Sequence, residues 1–132
     1  MGHILLVEPD VVLGQTYQRA LELAGHTVAS APSAQVAVDQ ADQRLPDVIV
    51  LELQLPAHSG VEFLYELRSY PEWQTVPVII NSHIPPQELE PLQAVLQTEL
   101  GVCAMHYKPR TSLQLLLRSV AEQLELLQQG RA

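Results

Sequence analysis

The residues able to do chemistry in this chain sit just behind apolar blocks. Glu8 and Asp10 follow Ile4-Leu5-Leu6-Val7, and Glu52 closes Val48-Ile49-Val50-Leu51. Ser82 and His83 come after Val78-Ile79-Ile80, and Lys108 comes after the block ending at Tyr107. Acids and a lysine brought together either make a functional site or settle into a plain structural ion pair. A strand-end acid such as Asp10 can also cap the next helix. Ser82 and His83 are adjacent, so no nucleophile with a base and an orienting group assembles from them, and a small hydrolase is a minor reading. His3, His26, His58, His83 and His106 show no metal-ligand spacing, so no dedicated transition-metal site is expected.

The elements that must position these residues read in order. His3 to Glu8 is a buried strand, and Asp10 caps a helix with Leu13, Tyr17, Ala20, Leu21 and Ala24 on one face. Gly25 stops it, and His26 to Ser30 is a second strand. Ser33 caps a helix over 34–44 with Ala37, Val38 and Ala41 inward, and Pro46 ends it. The run from Asp47 to Leu51 has the continuous Val/Ile character of a strand covered on both faces. The loop Pro56-Ala57-His58-Ser59-Gly60 leads to a short helix with Val61, Leu64 and Leu67 inward, and Trp73 is expected over the sheet edge. Val76 to Ser82 is the fourth strand. Pro85 and Pro86 open a helical stretch that either starts near Pro91 or is broken there, and Gly101 stops it. Val102 to Tyr107 is the fifth strand, and Thr111 or Ser112 caps a last helix reaching about Gln129. In that helix Leu113, Leu117, Val120, Leu124 and Leu127 form the stripe expected to pack on the sheet. Leu115, Leu116 and Leu126 lie off it as surplus apolar surface.

Five strands alternating with five helices define an α/β fold with a doubly wound five-stranded parallel sheet. In such sheets ligand sites lie beyond the carboxyl ends of the strands, where Glu8, Asp10, Glu52, Ser82 and Lys108 all fall. The chain has 132 residues and is 47% apolar, which fits one domain spanning 1–132, with the last helix at about 111–129 leading on to a linker or partner. A formal charge of −8 argues against direct nucleic-acid binding. No apolar run is long enough to span a bilayer, and the first apolar block is too short for a signal peptide. Cys103, the single cysteine, reads as a small buried residue in a reducing compartment, and the chain as cytoplasmic. No glycine-rich phosphate loop is present.

The order Ile4-Leu5-Leu6-Val7-Glu8, Asp47 to Pro56 with Gly60, Val76-Pro77-Val78-Ile79-Ile80 with Ser82, and Lys108-Pro109 resembles the receiver domain of bacterial two-component response regulators, a (βα)5 flavodoxin-like fold. The resemblance covers about His3 to Leu127. It implies a phosphoacceptor aspartate after the third strand, two acids after the first strand holding Mg²⁺, and a Ser/Thr and a Lys contacting the phosphoryl group. Ser82 and Lys108 match, and Lys108-Pro109 corresponds to a bond that is cis in the family. The departures are Glu52 at the acceptor position and Pro9 in place of a metal-ligating acid, with Asp10 one place too late. His83 and Gln54 beside the site are expected to block or tune it. Met105 stands where a switch aromatic is common, with Tyr107 two residues on.

The expectation is therefore a pseudo-receiver, a protein-interaction module without aspartyl phosphorylation, with Glu52 paired to Lys108. No cofactor is expected. Mg²⁺ enters only under the alternative of a working receiver with a modified site, for which Glu8, Asp10 and Glu52 are weak ligand candidates. The resemblance implies a histidine kinase or an output domain as partner, and a homodimer through the fifth strand and last helices.

Overall fold

Ile4, Leu5, Leu6 and Val7 leave no polar face for water, so the first strand must be covered on both sides, and it is. In a computed structural model describing residues 1–131, β1 (His3–Val7) is an inner strand of a parallel sheet with β2 (Thr27–Ala31), β3 (Val48–Leu51), β4 (Val78–Ser82) and β5 (Val102–Tyr107), in the order β2-β1-β3-β4-β5. Alternate residues feed two cores. Ile4, Leu6, Val48, Val50 and Ile79 pack under α1 (Val11–Leu23) and α5 (Leu113–Arg131). Leu5, Val7, Ile49, Leu51 and Ile80 pack under α2 (Ala34–Gln43), α3 (Gly60–Arg68) and α4 (Pro86–Leu89). The order reverses between β1 and β3, so the strand ends open a crevice there.

The caps fall where the side chains dictate. Asp10 accepts from the Leu13 amide, Ser33 from Val36, Ser59 from Glu62 and Ser112 from Leu115. Pro91 splits the fourth helical region: α4 is one turn, a 3₁₀ turn over Glu90–Leu92 follows, and a π-helical turn runs over Val95–Glu99. Gly101 ends it at φ +68, a left-handed value that favours glycine.

Several expectations are corrected. In α1 the buried positions are Gly14 and Leu21, and Ala24 is exposed. In α3 Leu64 and Leu67 are buried as expected and Val61 packs partly buried against the same core, but Phe63 is buried with them. Trp73 does not lie over an edge. It is buried with Leu67 and Val76 in the second core and packs against Tyr70 with ring centroids 4.8 Å apart. Cys103 is exposed, because the β4–β5 register slips between Val78 and Ile79 and leaves Cys103 as the extra residue of a bulge. The Lys108–Pro109 bond is trans, like every peptide bond among the described residues. Lys108 opens a 3₁₀ turn, Lys108–Arg110, whose first positions accept Pro109. Gln128 to Arg131 continue α5 as helix, and Ala132 lies outside the described residues.

In α5 the inward side is rotated from the expected stripe. Leu116, Val120 and Leu124 are buried, Leu117 and Leu127 pack at the margin, and Leu113 is 38% exposed against 1% for Leu116. Leu116→Ala is therefore expected to cost about 2–5 kcal/mol in urea unfolding, and Leu113→Ala within about 0.5. Equal losses would place α5 in a different rotation.

Candidate functional site

Four strands deliver one residue each to the carboxyl edge, and the backbone fixes where each arrives. The Glu8 amide donates to Ala31 O at 3.0 Å and the Glu52 amide to Val7 O at 2.9 Å, so both acids are held by ladder bonds one residue past their strands. Ser82 is the last residue of β4, in register with Tyr107, and Lys108 follows at once. After Leu53 the chain turns so tightly that a Cβ on Gly60 would lie 2.6 Å from Leu53 Cα, so only glycine fits there. Gly60 N donates to Leu53 O at 2.7 Å, and Gln54 bridges Ser59 across the loop. That turn points the Gln54 amide back at Glu52.

The result is a buried charge cluster. Glu8, Glu52 and Lys108 are 7%, 3% and 8% exposed. Lys108 Nζ donates to Glu8 Oε1 at 2.5 Å and to Glu52 Oε1 at 2.9 Å. Glu52 Oε1 also accepts from the His83 amide at 3.1 Å. Glu52 Oε2 accepts from the Gln54 amide at 3.0 Å and, in a short bond, from the Ser82 hydroxyl. A carboxylate offers about four acceptor directions, and Glu52 has a donor in each. Burial alone would push the Glu52 carboxyl up. The bonds from Ser82, Gln54 and Lys108, and the lysine charge, outweigh it and hold Glu52 below the usual carboxylate range. Burial likewise disfavours the Lys108 ammonium, but its bonds to Glu8 and Glu52 raise it above an ordinary lysine.

The other anticipated residues take lesser places. Asp10 is exposed and its Oδ1 is spent on the Leu13 amide, while its own amide donates to Glu8 Oε2 at 3.1 Å. Pro9 is half-buried and brings no oxygen side chain. The side chains of Gln54 and His83 are exposed, so their contribution is through backbone amides. The His83 ring stays over the carboxylate, with Nδ1 3.5 Å from Glu52 Oε1. Ser82 Oγ donates to Glu52 Oε2 and accepts from the Ile84 amide, and no histidine among the described residues orients the pair. His58 pairs with Glu62 at 3.5 Å, His3 with Thr27, and His106 with Ser119, so the histidines are spread through the fold.

Sequence reasoning expected a Glu52–Lys108 pair and missed that Glu8 shares the lysine. It also missed Asn81, buried before Ser82 with Oδ1 lacking a partner. An asparagine inside Val78-Ile79-Ile80-Asn81 was the available signal.

A divalent cation does not fit the donor set present. Magnesium needs near-octahedral oxygen geometry, but Pro9 offers no side-chain oxygen, Asp10 caps α1, and the ammonium of Lys108 lies between the two remaining carboxylates.

A doubly wound parallel sheet with acids, a hydroxyl and a lysine at its carboxyl edge defines a receiver-type domain. The comparisons agree. The model of the response regulator receiver domain matches residues 4–103. The KDP operon regulator KdpE of Escherichia coli is 38% identical over 82 residues, covering 62% of this chain and 35% of KdpE. The alginate biosynthesis regulator AlgB of Pseudomonas aeruginosa is 32% identical over 127 residues, covering 96% of this chain and 27% of AlgB. Among solved structures, the chemotaxis regulator CheY4 of Vibrio cholerae superposes with a TM-score of 0.80 at 22% identity, over 93% of this chain and 98% of that one. A CheY-like receiver domain from Methanospirillum hungatei gives 0.85 at 20% identity, over 98% of both chains. The chain belongs to the response regulator receiver domain family and is a two-component signalling domain, spanning about a third or less of the length of these two regulators. No helix among the described residues is long and apolar enough to cross a membrane.

Two outcomes follow from the cluster. Lys108→Met leaves two buried carboxylates without their cation and should cost about 3–5 kcal/mol in chemical denaturation, whereas an exposed strand-end lysine would cost under about 1. The pH dependence has a definite sign. Glu52 is held below its unfolded value, so its contribution is present above the ordinary carboxylate range and is lost as pH falls through the folded value. Lys108 is held above its unfolded value, so its contribution is full below the ordinary lysine range and is lost as pH rises through the folded value. Thermal midpoints of wild type and Glu52→Gln should differ most near neutrality and converge as the solution is acidified. A pH-independent difference would contradict the assignment.

Proposed function

We propose that this receiver domain acts as an interaction module that works without aspartyl phosphorylation. The observation that supports it best is the Glu52 carboxylate, which has a donor in each of its acceptor directions. A carboxylate attacks a phosphoryl donor through a free lone pair, held in line with the leaving group and helped by metal. Glu52 has no lone pair to spare, and its head is one methylene further out than that of aspartate. Its bonds to Ser82 and Lys108 are the contacts that, by the family resemblance, a phosphoryl group would make. The site is thus fixed in one arrangement and does not need a modification to reach it.

The partners are proteins, an output domain or a sensor kinase of the same pathway. A second copy of the chain meets the face formed by β5 and α5, where Leu115 and Leu126 are exposed. The chain does this in the cytoplasm with no bound cofactor. A charge of −8 sets it apart from nucleic acid.

The test is incubation with acetyl phosphate and millimolar Mg²⁺, read by intact mass. Wild type is expected to remain unmodified. Pro9→Asp with Glu52→Asp, which restores a second acid and a shorter acceptor, is expected to take up a phosphoryl group. A stoichiometric acyl phosphate on the wild-type chain would overturn the proposal in favour of a working receiver with a modified site.

A further inference from the structure

A cleft of about 190 Å³ opens between α1 and the carboxyl end of β2, lined by Leu6, Glu8, Gly14, Gln15, Gln18 and Ser30 among others. Its size is close to the ~150 Å³ apolar cavity that accepts benzene and below the ~300 Å³ at which drug-sized sites begin. The Ser30 hydroxyl donates to Gln18 Oε1 at 2.9 Å, which ties α1 to β2 across the cleft.

Gly14 distinguishes this cleft from a packing flaw. It is a buried residue in the body of α1, where glycine is less stable than alanine. Its φ is not positive, so its conformation does not require glycine. An added Cβ would meet nothing closer than Glu8 Cγ at 3.8 Å, an ordinary contact, so sterics do not require it either. What the missing side chain does is leave the cleft open.

The charge of the walls selects the occupant. Glu8 and Asp10 line the cleft, and no lysine, arginine or histidine does. Glu8 and Glu52 share the single ammonium of Lys108, so the buried cluster formally carries one negative charge in excess. Glu8 Oε2 accepts one bond, from the Asp10 amide, and retains acceptor capacity.

We propose that the cleft binds a small organic cation with a short apolar body, an alkylammonium or alkylguanidinium group, its charge toward Glu8 and its body against Leu6 and Gly14. The proposal stands apart from the fixed-site reading, because it needs the cleft and the Glu8 charge and not the state of Glu52.

The test uses the whole chain, with ¹H–¹⁵N NMR titrations of n-butylammonium, n-butylguanidinium and butyrate. Saturable shifts confined to amides around Val11, Gly14, Gln15 and Ala31 are expected with either cation at about millimolar Kd, the range open to so few heavy atoms. Butyrate should give none. Gly14→Leu should weaken cation binding at least about tenfold by filling the cleft. Gly14→Ala, which improves the helix, provides a folded second variant with weakened binding. A capped lysine that binds more tightly than butylammonium would identify the cation as a side chain of a partner protein, and weaker binding would identify a free amine. No saturable shift with either cation, equal shifts with butyrate, or unchanged binding in both variants would overturn the proposal.

Discussion

The ammonium of Lys108, held between Glu8 and Glu52, is the interaction on which the rest of the carboxyl edge depends. Three ionisable groups under 9% exposed are tolerable only if each finds its counter-charge and its hydrogen bonds. Lysine donates up to three bonds, and two go to carboxylates carried by β1 and β3. The cluster therefore ties the ends of β1, β3 and β5 together. The sheet hydrogen bonds alone constrain neighbouring strands, but β3 and β4 lie between β1 and β5 in the order of the sheet. The lysine closes that distance at one point, and any register that moved Lys108 by one residue would strand both acids.

The backbone then completes what the side chains begin. The tight turn closed on Gly60 aims the Gln54 amide at Glu52 Oε2, and the exit of β4 aims the His83 amide at Oε1. Both donors are main-chain amides, so they do not depend on which side chains stand at positions 54 and 83. The extra methylene of Glu52 carries the carboxylate into this ring of donors. The geometry is thus a property of the loops as much as of the substituted residue.

Much of the fold was legible because strands covered on both faces leave an unambiguous trace. Ile4 to Val7, Val48 to Leu51 and Val78 to Ile80 have no polar alternation, and each is a central strand. The caps at Asp10 and Ser33 were legible for a similar reason, since a short polar side chain before an apolar period has one good use. The rotation of α5 was not legible. Leu113 and Leu116 lie about 60° apart around the helix, and with leucines on both sides of the stripe the period alone does not choose the buried edge. Nor was the bulge that exposes Cys103, because register belongs to the pairing of two strands and is written in neither alone. At the site, the converging residues were readable from strand ends, but the amide donors were not, since every residue except proline carries one.

The departures at Pro9 and Glu52 are physically linked. The cluster already sets two carboxylates against one ammonium. An acid at position 9 would add a further negative charge beside Glu8, with one lysine already shared by two carboxylates. Proline brings no charge and no backbone N–H, so Glu8 Oε2 is left to accept from the Asp10 amide. On the proposed reading, a carboxylate satisfied by Ser82, Lys108 and two amides does not call on a metal, and a site without the metal does better without the second acid. On the proposed reading each substitution makes the other easier to keep, and the site is held by its own side chains in place of a cation and a transferable group.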